Sequence, residues 1–314
     1  MSKAARLGFS LLDVIILVAI VAVLGIILVP SVHRMRDSAQ QKVTQNNLRQ
    51  CAIAIHNYHG VFNAFADAAS TGGIYREAGE ERTMWFHLLP YIEQDAAYKD
   101  NVHNAVVEAY LTPDDASKED QGGKINIAAN IRIFGYETLT KPVANSAVDD
   151  KTGNPSGKSL SGKLGGKMKS GLTLARIPDG TSNVIMLATR YRDCGSPAQS
   201  TYYSAAPNGD ILAGGGNAAS VGAPKAGKGG FFAAGSHNKP ADGTSIDAIF
   251  QVMPKVDKCH ADDSVFGHSF GERSLSVALA DASVRVISAK MSPTTFCRAI
   301  CPSDGNAPGN DWGD

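Results

Sequence analysis

The sequence carries no surplus of charge: Lys and Arg total 30, Asp and Glu total 30, and the formal net charge is +0. Without a basic excess there is no electrostatic pointer to nucleic acid, and no acidic tail is present. Charged residues make up only 19% of the chain, while Gly supplies 32 of 314 positions. That lightly charged, loop-rich composition suits an irregular β-rich exported domain. The five cysteines, Cys51, Cys194, Cys259, Cys297 and Cys301, include no Cys-x-x-Cys pair. Cys259-His260 alone does not make a zinc set, so no metal is expected. The odd count leaves at least one thiol outside any intrachain bridge. Disulfides are expected if the domain is exported, and the pairing stays open. Cys297 and Cys301 are four apart and would share one face of a helix.

Catalytic constellations are also missing. Gly267-His268-Ser269-Phe270-Gly271 spells the Gly-x-Ser-x-Gly nucleophile elbow. That elbow needs a strand before it, a helix after it and a later histidine, but no histidine follows Ser269. Gly153–Ser159 is one residue short of a phosphate loop, and Gly157–Lys163 continues with Leu164 instead of Ser or Thr. Lys158, Lys163, Lys167 and Lys169 form a loose cluster, too sparse for a nucleic-acid stripe. Asp114-Asp115 and Asp149-Asp150 lack the alternating acid pattern of a calcium loop and read as surface charge. The chain is expected to be no enzyme, with no cofactor.

What the chain does have is a long apolar run. Lys3 and Arg6 precede Gly8-Phe9-Ser10-Leu11-Leu12-Asp13, and Val14–Val29 follows. Phe9 to Pro30 is about as long as the roughly 20 apolar residues that cross a bilayer as a helix. A carboxylate inside such a run is costly and therefore a candidate functional residue. No Ala-x-Ala cleavage pattern follows in Gly25–Met35, which disfavours an ordinary secretory signal. Lys3 and Arg6 before the span are matched by Arg34 and Arg36 after it, so the positive-inside count barely discriminates.

The hexapeptide Gly8–Asp13 resembles the prepilin signal of type IV pilins and type II secretion pseudopilins, usually Gly-Phe-Thr-Leu-Ile-Glu. The resemblance implies that a prepilin peptidase cuts after Gly8 and methylates the new amine on Phe9. It further implies that Asp13, here in place of Glu, pairs with that amine in a neighbouring subunit. An ammonium and a carboxylate in an apolar bundle are each costly alone and tolerable together. The implied fold is pilin-like α+β, with one long N-terminal helix packed on a mainly antiparallel sheet. Implied partners are the peptidase, like pilin or pseudopilin subunits, membrane lipid and a pilus or secretion platform. The implied location is the inner membrane, single-pass, with the N-terminus cytoplasmic and the domain periplasmic or extracellular. The alternative is a membrane-tethered exported binding protein that captures a polymer or surface ligand without forming a filament.

Beyond Pro30, the residues Met35, Ala39, Val43, Leu48, Cys51/Ala52, Ile55 and Tyr58 recur at helical spacing up to Gly60. A helix from Phe9 to His59 spans roughly 75 Å at 1.5 Å per residue. The expected organisation is therefore leader 1–8, membrane segment 9–30, amphipathic continuation 31–60, globular domain 61–301 and flexible tail 302–314. Within the domain, Met84–Gln94 and Tyr98–Tyr110 read as helical, and Ile125–Tyr136 and Ala248–Met253 as strands. Ile177-Pro178-Asp179-Gly180 reads as a turn, and Leu275–Ala280 with Ser283–Ser288 as a hairpin about Asp281-Ala282.

Scattered blocks resemble a bacterial family of large prepilin-like proteins whose exported domain has no established function. They are Asn46-Asn47-Leu48-Arg49-Gln50, His56-Asn57-Tyr58-His59, Leu88–Gln94, Ile177–Asn183, and His268 followed after twelve residues by Asp281-Ala282-Ser283-Val284-Arg285. Three segments depart from that family's usual wording. Ala282 replaces a Gly, Ala188-Thr189-Arg190 replaces Gly-Glu-Arg, and Thr112-Pro113-Asp114-Asp115 replaces Cys-Pro-Ser-Asp. A left-handed turn residue at 282 would cost Ala on the order of 1 kcal/mol. His56, His59, His268 and Asp281 are the candidate polar sites. His56 and His59, one helical turn apart, are expected to bond the helix end to the domain, and His268 and Asp281 to satisfy turns or hold a ligand.

Overall fold

The computed structural model describes residues 11–70, 82–115, 122–134, 148–149, 154–155, 172–194, 199–200, 203, 231–232, 250–259, 267–271, 274–303 and 305–313. Gly8, Phe9, the whole lysine cluster and most of the phosphate-loop look-alikes lie outside the described residues, as do the side chains of Asp13 and Cys297. The chain divides into two units, Met1–Lys42 and Val43–Asp314.

Helix α1 is Leu11–Phe62. In the first unit its apolar side chains from Leu11 to Leu24 are exposed, Leu11 at 80% and Val18 at 62%. Among the described residues no helix is long and apolar enough to cross a membrane. The span expected over Phe9–Pro30 is thus not met by what is described, because side chains at Asp13 and 25–34 fall outside it. In the second unit, Thr44, Leu48, Cys51, Ala52, Ile55 and Tyr58 are buried. They recur every three or four residues, as one face of a helix must. Met35, Ala39 and Val43, which the periodicity assigns to that same face, are exposed.

The domain is mixed α and β around a five-stranded, mainly antiparallel sheet. In chain order, β1 is Ile127–Asn130, β2 Ile185–Thr189, β3 Asp193–Cys194, β4 Phe231–Phe232, β5 Gln251–Val252, β6 His268–Ser269, β7 Ser274–Leu279 and β8 Val284–Ser288. The main sheet runs β8-β7-β2-β1-β4, antiparallel except for the parallel β1–β4 pair. Strands β5 and β6 pair separately and in parallel.

Side chains alternate across a strand, and here both faces are covered. Ile127, Ala129, Met186, Ala278 and Ala280 join a core with Leu48, Ile55, Trp85 and Phe134. Ala128, Ile185, Leu275, Val277 and Leu279 join a second core with Phe296, Ala299 and Ile300. That second core rests on a helix absent from the sequence reading, Pro293–Ile300. Ser292 accepts from Thr295 N and Pro293 occupies the first turn, a start signal that the sequence does contain.

Other elements are shorter than their patterns suggest. Tyr98–Tyr110 holds only the end of the helix Asp95–Lys99 and a 3₁₀ turn at Glu108–Tyr110. Met84–Gln94 divides into helix Met84–His87 and 3₁₀ turn Leu89–Ile92. Ile125–Tyr136 yields β1 and then a helical turn, Ile131–Phe134. The segment after Pro302 is not free: Asp311 accepts from Ser292 N and from the Thr295 hydroxyl, Gly305 N donates to Asp179, and Arg285 lies over the Trp312 ring.

Candidate functional site

The two helix histidines have separate backbone partners. His56 Nε2 meets Ala280 O at 2.9 Å, so that nitrogen donates. His59 Nε2 accepts from Leu174 N at 3.2 Å. They pin α1 to the end of β7 and to the turn before Ile177, with no shared ligand geometry. Burial, and then the neighbouring His56, hold the His59 pKa below its ordinary value. Asn47 adds a further pin, its amide donating to Glu108 O and Leu111 O at 3.0 and 2.8 Å. Beside it Cys51 donates to Ala109 O, and full burial pushes that thiol far up, leaving it inert.

The Ile177–Asn183 turn closes with Gly180 at φ +87°, where a side chain would be strained. Asn183 Nδ2 donates to Asp179 O. The β7–β8 turn docks beside it, Asp281 N donating to Thr181 O at 3.1 Å. Asp281 itself is exposed, and its carboxylate accepts from Ser283 N at 2.8 Å. His268 is fully buried on β6 with other partners, so these two candidates do not form a common site.

His268 belongs to a network that begins where β2 ends. The chain continues from Thr189 through Arg190, Tyr191 and Arg192 into β3, and both arginines are buried. Asp115 is buried too, against the surface charge expected from its sequence. A single oxygen of Asp115 accepts from Asn126 Nδ2 (2.6 Å), Arg192 N (3.1 Å) and Arg192 Nε (3.0 Å). Asn126 also donates to Arg190 O and receives Thr112 N on its oxygen. Lys124 pairs with Asp193 at 3.0 Å at the edge. Across the strand, Thr189 Oγ1 donates to His268 O and Tyr191 N to His268 Nδ1, each at 3.0 Å. The Tyr191 ring lies between His268 and Phe270 at centroid distances of 5.1 and 5.0 Å. Desolvation, then the Asp115 carboxylate, push the Tyr191 hydroxyl up to about 12.

Cys194 and Cys259 form a disulfide, while Cys51 and Cys301 are buried thiols, the latter accepting from Arg132. The ligand atoms of Cys194, Cys259 and His268 lie within 4.8 Å of one another, a spacing compatible with a metal. Two features argue against one. Both sulfurs are bonded to each other, and His268 Nδ1 accepts a backbone N–H. In a neutral imidazole that places the proton on Nε2, the nitrogen 3.9 Å from Cys194 Sγ. A proton donor faces the sulfur where a metal would need a lone pair.

The elbow look-alike is structural. Ser269 is buried, its Oγ bonding Gly271 O, Ser274 O and Gly271 N within its own turn. A Cβ at Gly267 would meet Thr189 O at 2.9 Å and Leu275 at 3.0 Å, so close strand approach explains that glycine.

Asp115 and Arg190, which keep the resembled family's wording inside two segments that otherwise depart from it, meet in this network. Sequence reasoning missed Asp115, Asn126, Arg192 and the Cys194–Cys259 pairing. The usable signals were two arginines flanking Tyr191 at the end of an apolar strand, and the acid pair Asp114-Asp115 directly after Thr112-Pro113.

The fold and network define a three-layer α+β domain whose central strand ends in a buried ionic and disulfide cluster. The chain belongs to the family described as protein of unknown function (DUF1559), which matches residues 33–294. Neither a curated protein nor a solved structure matches the chain.

Proposed function

We propose that this is a non-enzymatic, pilin-like or pseudopilin-like structural subunit of the inner membrane. In this reading a prepilin peptidase removes residues 1–8 and methylates Phe9. The apolar part of α1 then enters lipid, and Asp13 pairs with the Phe9 amine of a like subunit in a pilus or secretion-type filament. The observation that carries the reading is the exposed apolar surface of α1 from Leu11 to Leu24. Exposed apolar area of that extent marks a membrane or protein contact in a native chain. The same helix runs on to Phe62, with one face buried in the domain core. The Cys194–Cys259 disulfide suits an oxidising compartment, and hence an exported domain.

N-terminal mass spectrometry of protein from native membranes tests processing, wild type beside Gly8→Ala. The expected mature end is methylated Phe9 in the wild type and an intact leader in the variant. A wild-type chain beginning at Met1, or cut after Val29, would sink the proposal. Crosslinking then separates filament from tether. Asp13→Ala is expected to abolish the wild-type oligomer ladder, and an unchanged ladder would assign Asp13 no assembly role. A monomer in both would instead favour the membrane-tethered binding protein.

A further inference from the structure

The Cys194–Cys259 disulfide is asymmetric, and the asymmetry has chemical consequences. Cys194 ends β3, two residues after Arg192, which pairs with the buried Asp115. Cys259 follows the 3₁₀ turn Val256–Lys258, where Asp257 and Lys258 are exposed. Both cysteines are buried, Cys259 at 5% and Cys194 at 2% exposure, and the exposed turn beside Cys259 is the side from which a thiol would reach the bond. The two sulfurs also differ in what would stabilise them as thiolates. His268 Nδ1 accepts Tyr191 N, which fixes the proton on Nε2 and aims that N–H at Cys194 Sγ. Cys259 has no such donor among the described residues. It shares an apolar cluster with Tyr191, Cys194 and the partly buried Phe270, and a His268 ring nitrogen lies within 4.8 Å of its sulfur without a hydrogen bond between them.

We propose that this bond is a thiol–disulfide exchange site of fixed polarity, opened by a dithiol that attacks Cys259 and expels Cys194. The attacking thiolate bonds to Cys259 Sγ as the Cys194–Cys259 bond breaks. The electron pair leaves on Cys194, which accepts the His268 Nε2–H hydrogen bond. The second thiolate of the dithiol then attacks its own sulfur in the mixed disulfide and releases Cys259. Two protons from water complete two thiols here and a cyclic disulfide on the reductant. Two electrons pass from the dithiol to the protein. Exchange is faster when the leaving thiolate is the better stabilised one, and a hydrogen bond to a charged group contributes more than a neutral one. His268 is a positioning donor in this scheme and keeps its proton.

The test uses full-length protein in detergent without denaturant. Reduced glutathione serves as a one-thiol probe that stops at the mixed disulfide. After quenching, N-ethylmaleimide blocks released thiols, and peptide mass spectrometry maps both modifications. Glutathione on Cys259 with maleimide on Cys194 is expected to exceed the reverse pattern by about tenfold. His268→Asn keeps a side-chain oxygen for Tyr191 N but has no donor at the Nε2 position. It is expected to slow adduct formation about tenfold and to erase the bias. An even partition, or adducts mainly on Cys194 in the wild type, would overturn the proposal. So would an unmodified native disulfide or an unaltered bias in His268→Asn. The wild-type partition decides the polarity even if that variant fails to fold.

Discussion

Asp115→Ala is the sharpest test of the buried network. Asp115 is fully inaccessible and its partner Arg192 is 2% exposed. The carboxylate oxygen lies 3.0 Å from Arg192 Nε and takes two further N–H donors. At an effective dielectric constant near 20, two unit charges at that distance attract by about 5 kcal/mol, much of which repays their desolvation. Removing the acid alone leaves a guanidinium buried without its counter-charge, which typically costs about 3–5 kcal/mol. That is a large share of a typical domain stability of roughly 5–15 kcal/mol, and corresponds to about 6–20 °C in Tm. Urea unfolding followed by the fluorescence of Trp85, buried in the core beside α1, reads the loss directly. Asp115→Ala with Arg192→Met removes both charges and should recover most of the stability, since apolar replacement of a buried pair is often neutral. A single variant losing less than about 1 kcal/mol, or a double variant as weak as the single, would refute the reasoning.

Three further outcomes follow from separate parts of the fold. Ala282 sits at φ 64° in the β7–β8 turn; Ala282→Gly should raise stability by about 0.5–1 kcal/mol in chemical denaturation, relief of strain outweighing the added chain entropy. His59 has a lowered folded pKa, so the unfolded chain binds the extra proton; its contribution is complete above the ordinary histidine value of about 6.5 and fades as pH falls below it. Urea midpoints should thus drop from pH 7.5 to about pH 5 more steeply in wild type than in His59→Gln. The Thr295 hydroxyl and then Ser292 N hold the Asp311 carboxyl below the usual range; Asp311→Ala should cost about 1 kcal/mol by calorimetry and expose the last residues to protease.

The elements legible in the sequence were those whose cause is local. Alternation in Leu275–Ser288 gives the hairpin its register, Val277 opposite Arg285. Pro-Asp-Gly marked the turn before β2, and the period of Leu48, Ile55 and Tyr58 marked the buried face of α1. Even local signals failed where burial overrode them. Tyr98–Tyr110 looks helical, yet its backbone turns away after Asp100, and the Tyr203 hydroxyl bonds Val102 O and Ala105 N. Helix Pro293–Ile300 had a start signal but too short a periodic run to stand out.

Residue chemistry by itself determined that this chain joins an apolar N-terminal run to a lightly charged, glycine-rich domain with a hairpin near its end. It also determined that the Gly-x-Ser-x-Gly stretch lacked a later histidine. Tertiary structure alone decided that Asp115, Asn126, Arg192, Cys194, Cys259 and His268 gather at one end of β2. The reason is physical. These residues are far apart in the chain, and it takes the pairing of β2 with β1, together with the separate β5–β6 pair bonded to the end of β2, to bring their segments side by side. An acid belongs on the surface unless a buried arginine and an amide meet it; no local pattern announces that they do.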